Sequence, residues 1–174
     1  MNASKLFLTS KRTIVLSVGG LMLGFVIGSY AGESYELRMV RQVYDINAPK
    51  AELMYQFVPD YMEINVGDTV RFLGTVGRHT VHSVKGMIPE GAEPISIMPR
   101  QPNEVTFTKP GVYGIKCKLH QRHGMVAVIQ VGDTIPNLEK ARAHVSKGVS
   151  EFTRPKMHRL LDKAEASVAA KAKE

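Results

Sequence analysis

One nine-residue stretch, Cys117-Lys118-Leu119-His120-Gln121-Arg122-His123-Gly124-Met125, concentrates soft and borderline metal donors. Its spacing is C-x2-H-x4-M, with Cys117 at the end of one predicted strand and Met125 at the start of the next. A loop that short, held by two strands, can turn a thiolate, an imidazole and a thioether toward one point. A fourth donor has to come from elsewhere in the chain, and an upstream segment offers His79 and His82. They stand three apart and so fall on opposite faces of an extended segment, and spacing alone does not choose between them. Cys117 is the sole cysteine of 174 residues, which excludes an intrachain disulfide and any multi-thiolate zinc or iron–sulfur site.

One thiolate, two neutral imidazoles and a weak axial thioether make the donor set of blue-copper electron-transfer sites. Zinc prefers four firm ligands and gains little from methionine. Copper cycles by one electron, with Cu(I) favouring the sulfurs and Cu(II) accepting the imidazoles and thiolate. Ligands that serve both states, held by stiff strands, need move little when the electron leaves. With every position filled, such a site passes electrons and leaves no place for a substrate. A lone cysteine is more often an inert buried hydrophobe; the company of His120 and Met125 is what points to a metal. The expectation is one copper per chain in an electron carrier, not an enzyme. A copper reductase would need a second copper with its own histidines, and His82, His123, His144 and His158 lie scattered. A two-copper centre would need another cysteine. A copper-delivery protein remains the rival outside catalysis, although a buried four-ligand site should hold its ion tightly.

The elements around this stretch read as short strands. Tyr35, Leu37 and Met39 alternate with Glu36 and Arg38 over 35–44. Met62, Ile64 and Val66 alternate before a Gly67-Asp68 turn into Thr69–Leu73. Val105 and Phe107 precede a Pro110-Gly111 turn, after which Tyr113, Ile115 and Cys117 share a face. Residues 125–131 form a near-continuous apolar run, expected as a buried last strand. This pattern predicts an all-β sandwich. The last forty residues change character. Asn137 is placed to cap a helix with the stripe Leu138, Ala141 and Val145, and Gly148 ends it. A second helix begins near Pro155 with Met157, Leu160, Leu161, Ala164 and Val168 on one face. The domains are therefore 1–31, an N-terminal segment; 32–132, the sandwich; and 133–174, helices packed on it.

The N-terminal segment is an address. Lys5, Lys11 and Arg12 precede an uncharged run over 13–31 that ends Ser29-Tyr30-Ala31. It fits a secretory signal cleaved after Ala31, and equally a retained helix long enough to cross a bilayer. Either way residues 32–174 lie outside the cytoplasm, free in the periplasm or tethered to the inner membrane as a subunit of a larger respiratory complex. After residue 31 the chain holds twenty basic and sixteen acidic side chains. That is short of a nucleic-acid binder's footprint.

Beyond these features the chain resembles the pseudoazurins, a branch of the cupredoxin family of blue copper proteins. The likeness runs from about Leu53 to Ala170. It is carried by FVPDYMEINVGDTVRF, HTVHSVKGMIPEGAE, FTKPGVYGIKCKLH, HGMVAVIQVGD and the tail from NLEKA to LLDKAEASVAA. The resemblance sets the register and implies His79 as the fourth copper ligand beside Cys117, His120 and Met125, with His82 a surface histidine. It implies a Greek-key sandwich with two C-terminal helices. It also implies a periplasmic carrier that passes electrons to reductases, nitrite reductase foremost, or exchanges them with a cytochrome or a membrane oxidoreductase. Three positions depart from the family: Thr80 stands where it usually has Asn, Leu119 where it has Pro, and His123 where it has an apolar residue.

In this family the second histidine reaches the surface through an apolar patch. The corresponding residue is His120, and its expected neighbours are Leu119, Met87, Ile88 and Pro89, with Tyr55 stacked on its ring. Thr80 is expected beside the thiolate. Arg78, Lys116, Lys118 and Arg122 cluster around the ligands in sequence and would steer an acidic-surfaced redox partner.

Overall fold

The computed structural model describes residues 32–40, 55–74, 78–99, 101 and 103–173; the apolar segment 13–31 and the end of the predicted first strand, 41–44, lie outside them. Among the described residues nine strands run in the order β1 (Ser34–Val40), β2 (Gln56–Val58), β3 (Tyr61–Ile64), β4 (Thr69–Gly74), β5 (Val81–Ser83), β6 (Ser96–Ile97), β7 (Glu104–Thr106), β8 (Gly111–Lys116) and β9 (Val126–Val131). Two helices follow, α1 (Leu138–Gly148) and α2 (Arg154–Lys171). The strands form two sheets, β2-β1-β4-β7 and β3-β9-β8-β5-β6. Each sheet carries one parallel pair, β1 with β4 and β3 with β9, among antiparallel neighbours. This is the expected sandwich with its two C-terminal helices.

The long apolar run of β9 has a direct structural cause. Every residue from Val126 to Val131 is buried, because both faces of its sheet are covered. Ala127, Ile129 and Val131 join Tyr113 and Ile115 of β8 in the core between the sheets. Val126 and Val128 point the other way with Val112, into a second core formed with Leu138, Val145, Met157, Leu160 and Leu161 of the helices. Alternation along the strand thus separates two apolar cores instead of core from solvent. Fully burying a side chain of this size contributes about 1.5–3 kcal/mol, so the helices stabilise the sheet that carries the Cys117 loop. Gly114 lets Met87 close on β8; a Cβ there would stand 2.9 Å from the Met87 methyl.

Several local expectations change. The Gly67-Asp68 turn does not make a hairpin: β3 and β4 belong to different sheets, and the Asp68 carboxylate ties the crossing by accepting from Asn65 N and Glu33 N, both at 2.7 Å. Val66, placed on the core face by alternation, is exposed in this turn. Asn137 does not cap α1 with its side chain. It reaches across to β8 instead, where its Oδ1 accepts from Val112 N at 2.9 Å and its Nδ2 donates to Val112 O at 2.8 Å. It thereby satisfies two buried backbone groups and fastens helix to sheet.

Candidate metal centre

Strand β8 ends at Lys116 and delivers Cys117 to the end of the sandwich. The chain then makes a single 3-10 turn, Gln121–His123, and returns into β9 through Gly124 and Met125. The loop closes on itself. Cys117 N donates to Met125 O at 3.1 Å, Met125 N to His120 O at 3.3 Å, and Gln121 N to Cys117 O at 3.0 Å. Gly124 takes φ 85°, a left-handed conformation that glycine adopts without steric cost. Cys117 and Met125 are fully buried in the inter-sheet core, and His120 is half-buried.

His79 enters from the other side, just before β5, and is 4% exposed. Its Nδ1 lies 3.1 Å from His120 Nδ1, and His120 Nδ1 lies 3.6 Å from Cys117 Sγ. One donor atom from each of His79, Cys117 and His120 falls within 4.8 Å of the others, and among the described residues no second such cluster of three is found. Two nitrogens each bonded to a common ion at about 2.0–2.1 Å stand about 3 Å apart, so the observed spacing suits a shared metal. The soft sulfur and the two imidazoles fit copper. Burial first, then the nearby rings of His79 and His123, pulls the His120 pKa below its ordinary value. That favours the neutral ring, the form that can ligate.

Thr80 and Tyr55 complete the immediate surroundings. The Thr80 hydroxyl accepts from Lys118 N at 3.1 Å and donates to Cys117 Sγ at 3.7 Å, so it braces the loop and touches the sulfur together. Tyr55 stacks on His120 with centroids 3.9 Å apart and planes 16° from parallel, and meets His79 and His123 edge-on at 5.7 Å each. Leu119 is 55% exposed next to His120 in the chain, and Arg78, Lys118 and Arg122, each within two residues of His79, Cys117 or His120, are exposed.

Three sequence expectations require correction. Met87 and Pro89 are buried and form no part of a surface patch: Met87 packs in the core under the helices, and Pro89 sits against Gly111. His82 is no surface histidine. It is 5% exposed because β5 lies between β8 and β6, paired with Lys116 and Ser96. Lys116 is half-buried and turns toward the helices, where its Nζ donates to Gly148 O at 2.7 Å. One residue at the loop carries no signal in the sequence. Lys156 of α2 is 4% exposed and donates to Gly124 O at 3.1 Å, with Asp60 Oδ2 also at 3.1 Å. It holds the carbonyl directly before Met125, and nothing in its helical spacing sets it apart from the exposed lysines.

Comparison with known proteins agrees with this geometry. Residues 44–132, just over half of the chain, match the model of the copper binding proteins of the plastocyanin/azurin family. A pseudoazurin of Methylorubrum extorquens is 42% identical over 90 residues, a match covering 52% of this chain and 61% of the relative. The chain thus spans about three-fifths of that curated relative's length. The crystal structure of pseudoazurin from Methylobacterium extorquens AM1 superposes with a TM-score of 0.64 at 32% identity, covering 75% of this chain and 98% of the other. A pseudoazurin structure from Sinorhizobium meliloti gives 0.65 at 27% identity, covering 78% and 98%. The chain belongs to the plastocyanin/azurin family of copper-binding proteins, as a pseudoazurin-like cupredoxin.

Proposed function

We propose that the protein is an exported one-electron carrier whose copper is held by His79, Cys117, His120 and Met125. The observation that carries this reading is the convergence of two imidazole Nδ1 atoms 3.1 Å apart with the lone thiol 3.6 Å from one of them. A copper ion held there supplies a one-electron couple. The chain's own residues do the rest. The two strands and the self-bonded loop hold the donors still. The inter-sheet core keeps water from Cys117 and Met125. Tyr55 fixes the plane of the His120 ring, which with exposed Leu119 marks the route by which an electron enters or leaves.

Arg78, Lys118 and Arg122, exposed and close to the ligands in the chain, suit a partner with an acidic face. A nitrite reductase, a cytochrome or a membrane oxidoreductase would meet that description, and the periplasm is where the protein would act. The test is stopped-flow electron transfer from the reduced, copper-loaded protein to a nitrite reductase across a salt series. One electron per chain should leave, at a bimolecular rate that falls as ionic strength rises. A rate unaffected by salt would remove the basic ring, and a stoichiometry other than one would remove the carrier.

A further inference from the structure

Beside the metal loop lies a cleft of about 520 Å³ that shares only Arg122 with the exposed cations assigned above to a redox partner. It opens where the Gln121–His123 turn meets a second 3-10 turn, Glu151–Thr153, between α1 and α2. Its walls carry Lys116, Arg122, Lys147 and Arg154, with Phe152 60% exposed at its edge. Several cations elsewhere find carboxylates, Arg38 with Glu36, Arg71 with Glu104, Arg142 with Asp162 and Glu165, and Lys171 with Glu63 and Asp133, while single exposed lysines such as Lys109 and Lys118 have none among the described residues. Among the described residues, none of the four cleft cations has a carboxylate within ion-pair distance.

Two of the four are held in place by backbone instead. Lys116 Nζ donates to Gly148 O and Arg154 Nη2 to Ser146 O, both at 2.7 Å. Each keeps further N–H donors, and Arg154 Nε is a buried atom with no acceptor among the described residues. Four cations against the single carboxylate of Glu151 leave this concave site net positive, which raises the local concentration of anions, and a buried donor without an acceptor calls for one. Helix α2 begins at the cleft with no acidic residue in its own first turn and no side-chain cap, Glu151 standing in the 3-10 turn that leads into it.

We infer that this cleft binds a multivalent oxyanion, a small molecule carrying phosphate or carboxylate groups. The site stands on the cations alone and does not depend on the metal reading. The test is calorimetric titration of the copper-loaded chain with inorganic pyrophosphate, against chloride at matched ionic strength. One saturable site per chain is expected for pyrophosphate and none for chloride. Lys147→Gln and Arg154→Gln should each weaken it about ten-fold or more, the contribution of one charge-assisted hydrogen bond. Arg38→Gln, on the other sheet, should leave it unchanged. Lys147 is exposed and its side chain makes no hydrogen bond or ion pair among the described residues, so its variant remains decisive where Arg154→Gln fails to fold. Absence of saturable binding, or equal affinity in wild type and Lys147→Gln, would overturn the site. Weakened binding of a redox partner by Lys147→Gln without saturable pyrophosphate binding would assign the cleft to protein docking and equally overturn it.

Discussion

Thr80 touches both the sulfur and the loop that presents it, so its hydroxyl has two separable effects. Hydrogen bonding to a thiolate withdraws charge from it and favours the reduced metal, a recognised lever on potential. Thr80→Val should therefore bind copper but show a lower reduction potential by voltammetry, with a stability loss of about 1 kcal/mol for the bond to Lys118 N. An unchanged potential would confine Thr80 to bracing the loop. His82 answers to pH. Burial first, then the charges of Lys118 and Lys116, holds its pKa below the ordinary imidazole value. The unfolded chain thus takes up a proton where the folded chain does not. Stability is full above about pH 6.5 and falls as pH drops through that value toward the lower folded pKa. Melting temperatures across a pH series should show this decline, and His82→Gln should flatten it; an identical slope in the variant would place the proton elsewhere. At this scale Cys117, His120 and Met125 could be read from one loop, because neighbours in sequence there are neighbours in space. His79 could not be separated from His82 by spacing. Both are buried, and within the sequence only the family register distinguishes them.

The elements show where reading by periodicity stops. β8 and β9 are long enough for their pattern to be visible, and α1 and α2 carry clear stripes. β2, β5 and β6 have three, three and two residues, too few for alternation to register. Met87 and Pro89 follow β5 in irregular chain, where no period says which way a side chain faces; Met87 is covered by the helices and Pro89 sits against Gly111. Lys156 is the same problem on a helix. Its ammonium joins α2 to the Gly124 carbonyl, so the C-terminal helix has a direct hold on the metal loop. Lys156→Met should lower stability to denaturant by about 1–3 kcal/mol, as for a lost hydrogen bond to a charged group. The figure falls short of a fully buried ion pair because Asp60 is partly exposed. Unchanged stability would mean that water replaces the ammonium at Gly124 without cost.

On the scale of the whole molecule, two cores share one sheet, and the site sits at the end of the strand pair common to both. The sandwich fixes Cys117 from β8 and Met125 before β9, while His79 arrives across the sheet from the segment before β5. Long-range closure of this kind is invisible to local pattern, which is why family likeness supplied the fourth donor. The same architecture concentrates the account on a single sulfur. The most direct measurement is the visible absorption and electron paramagnetic resonance of the oxidised, copper-loaded protein beside its Cys117→Ala variant. The wild type should hold one copper per chain and show an intense thiolate-to-copper band with a small copper hyperfine splitting, band and small splitting both lost in the variant. A colourless oxidised wild type, or a variant that keeps the full band, would contradict copper held by Cys117.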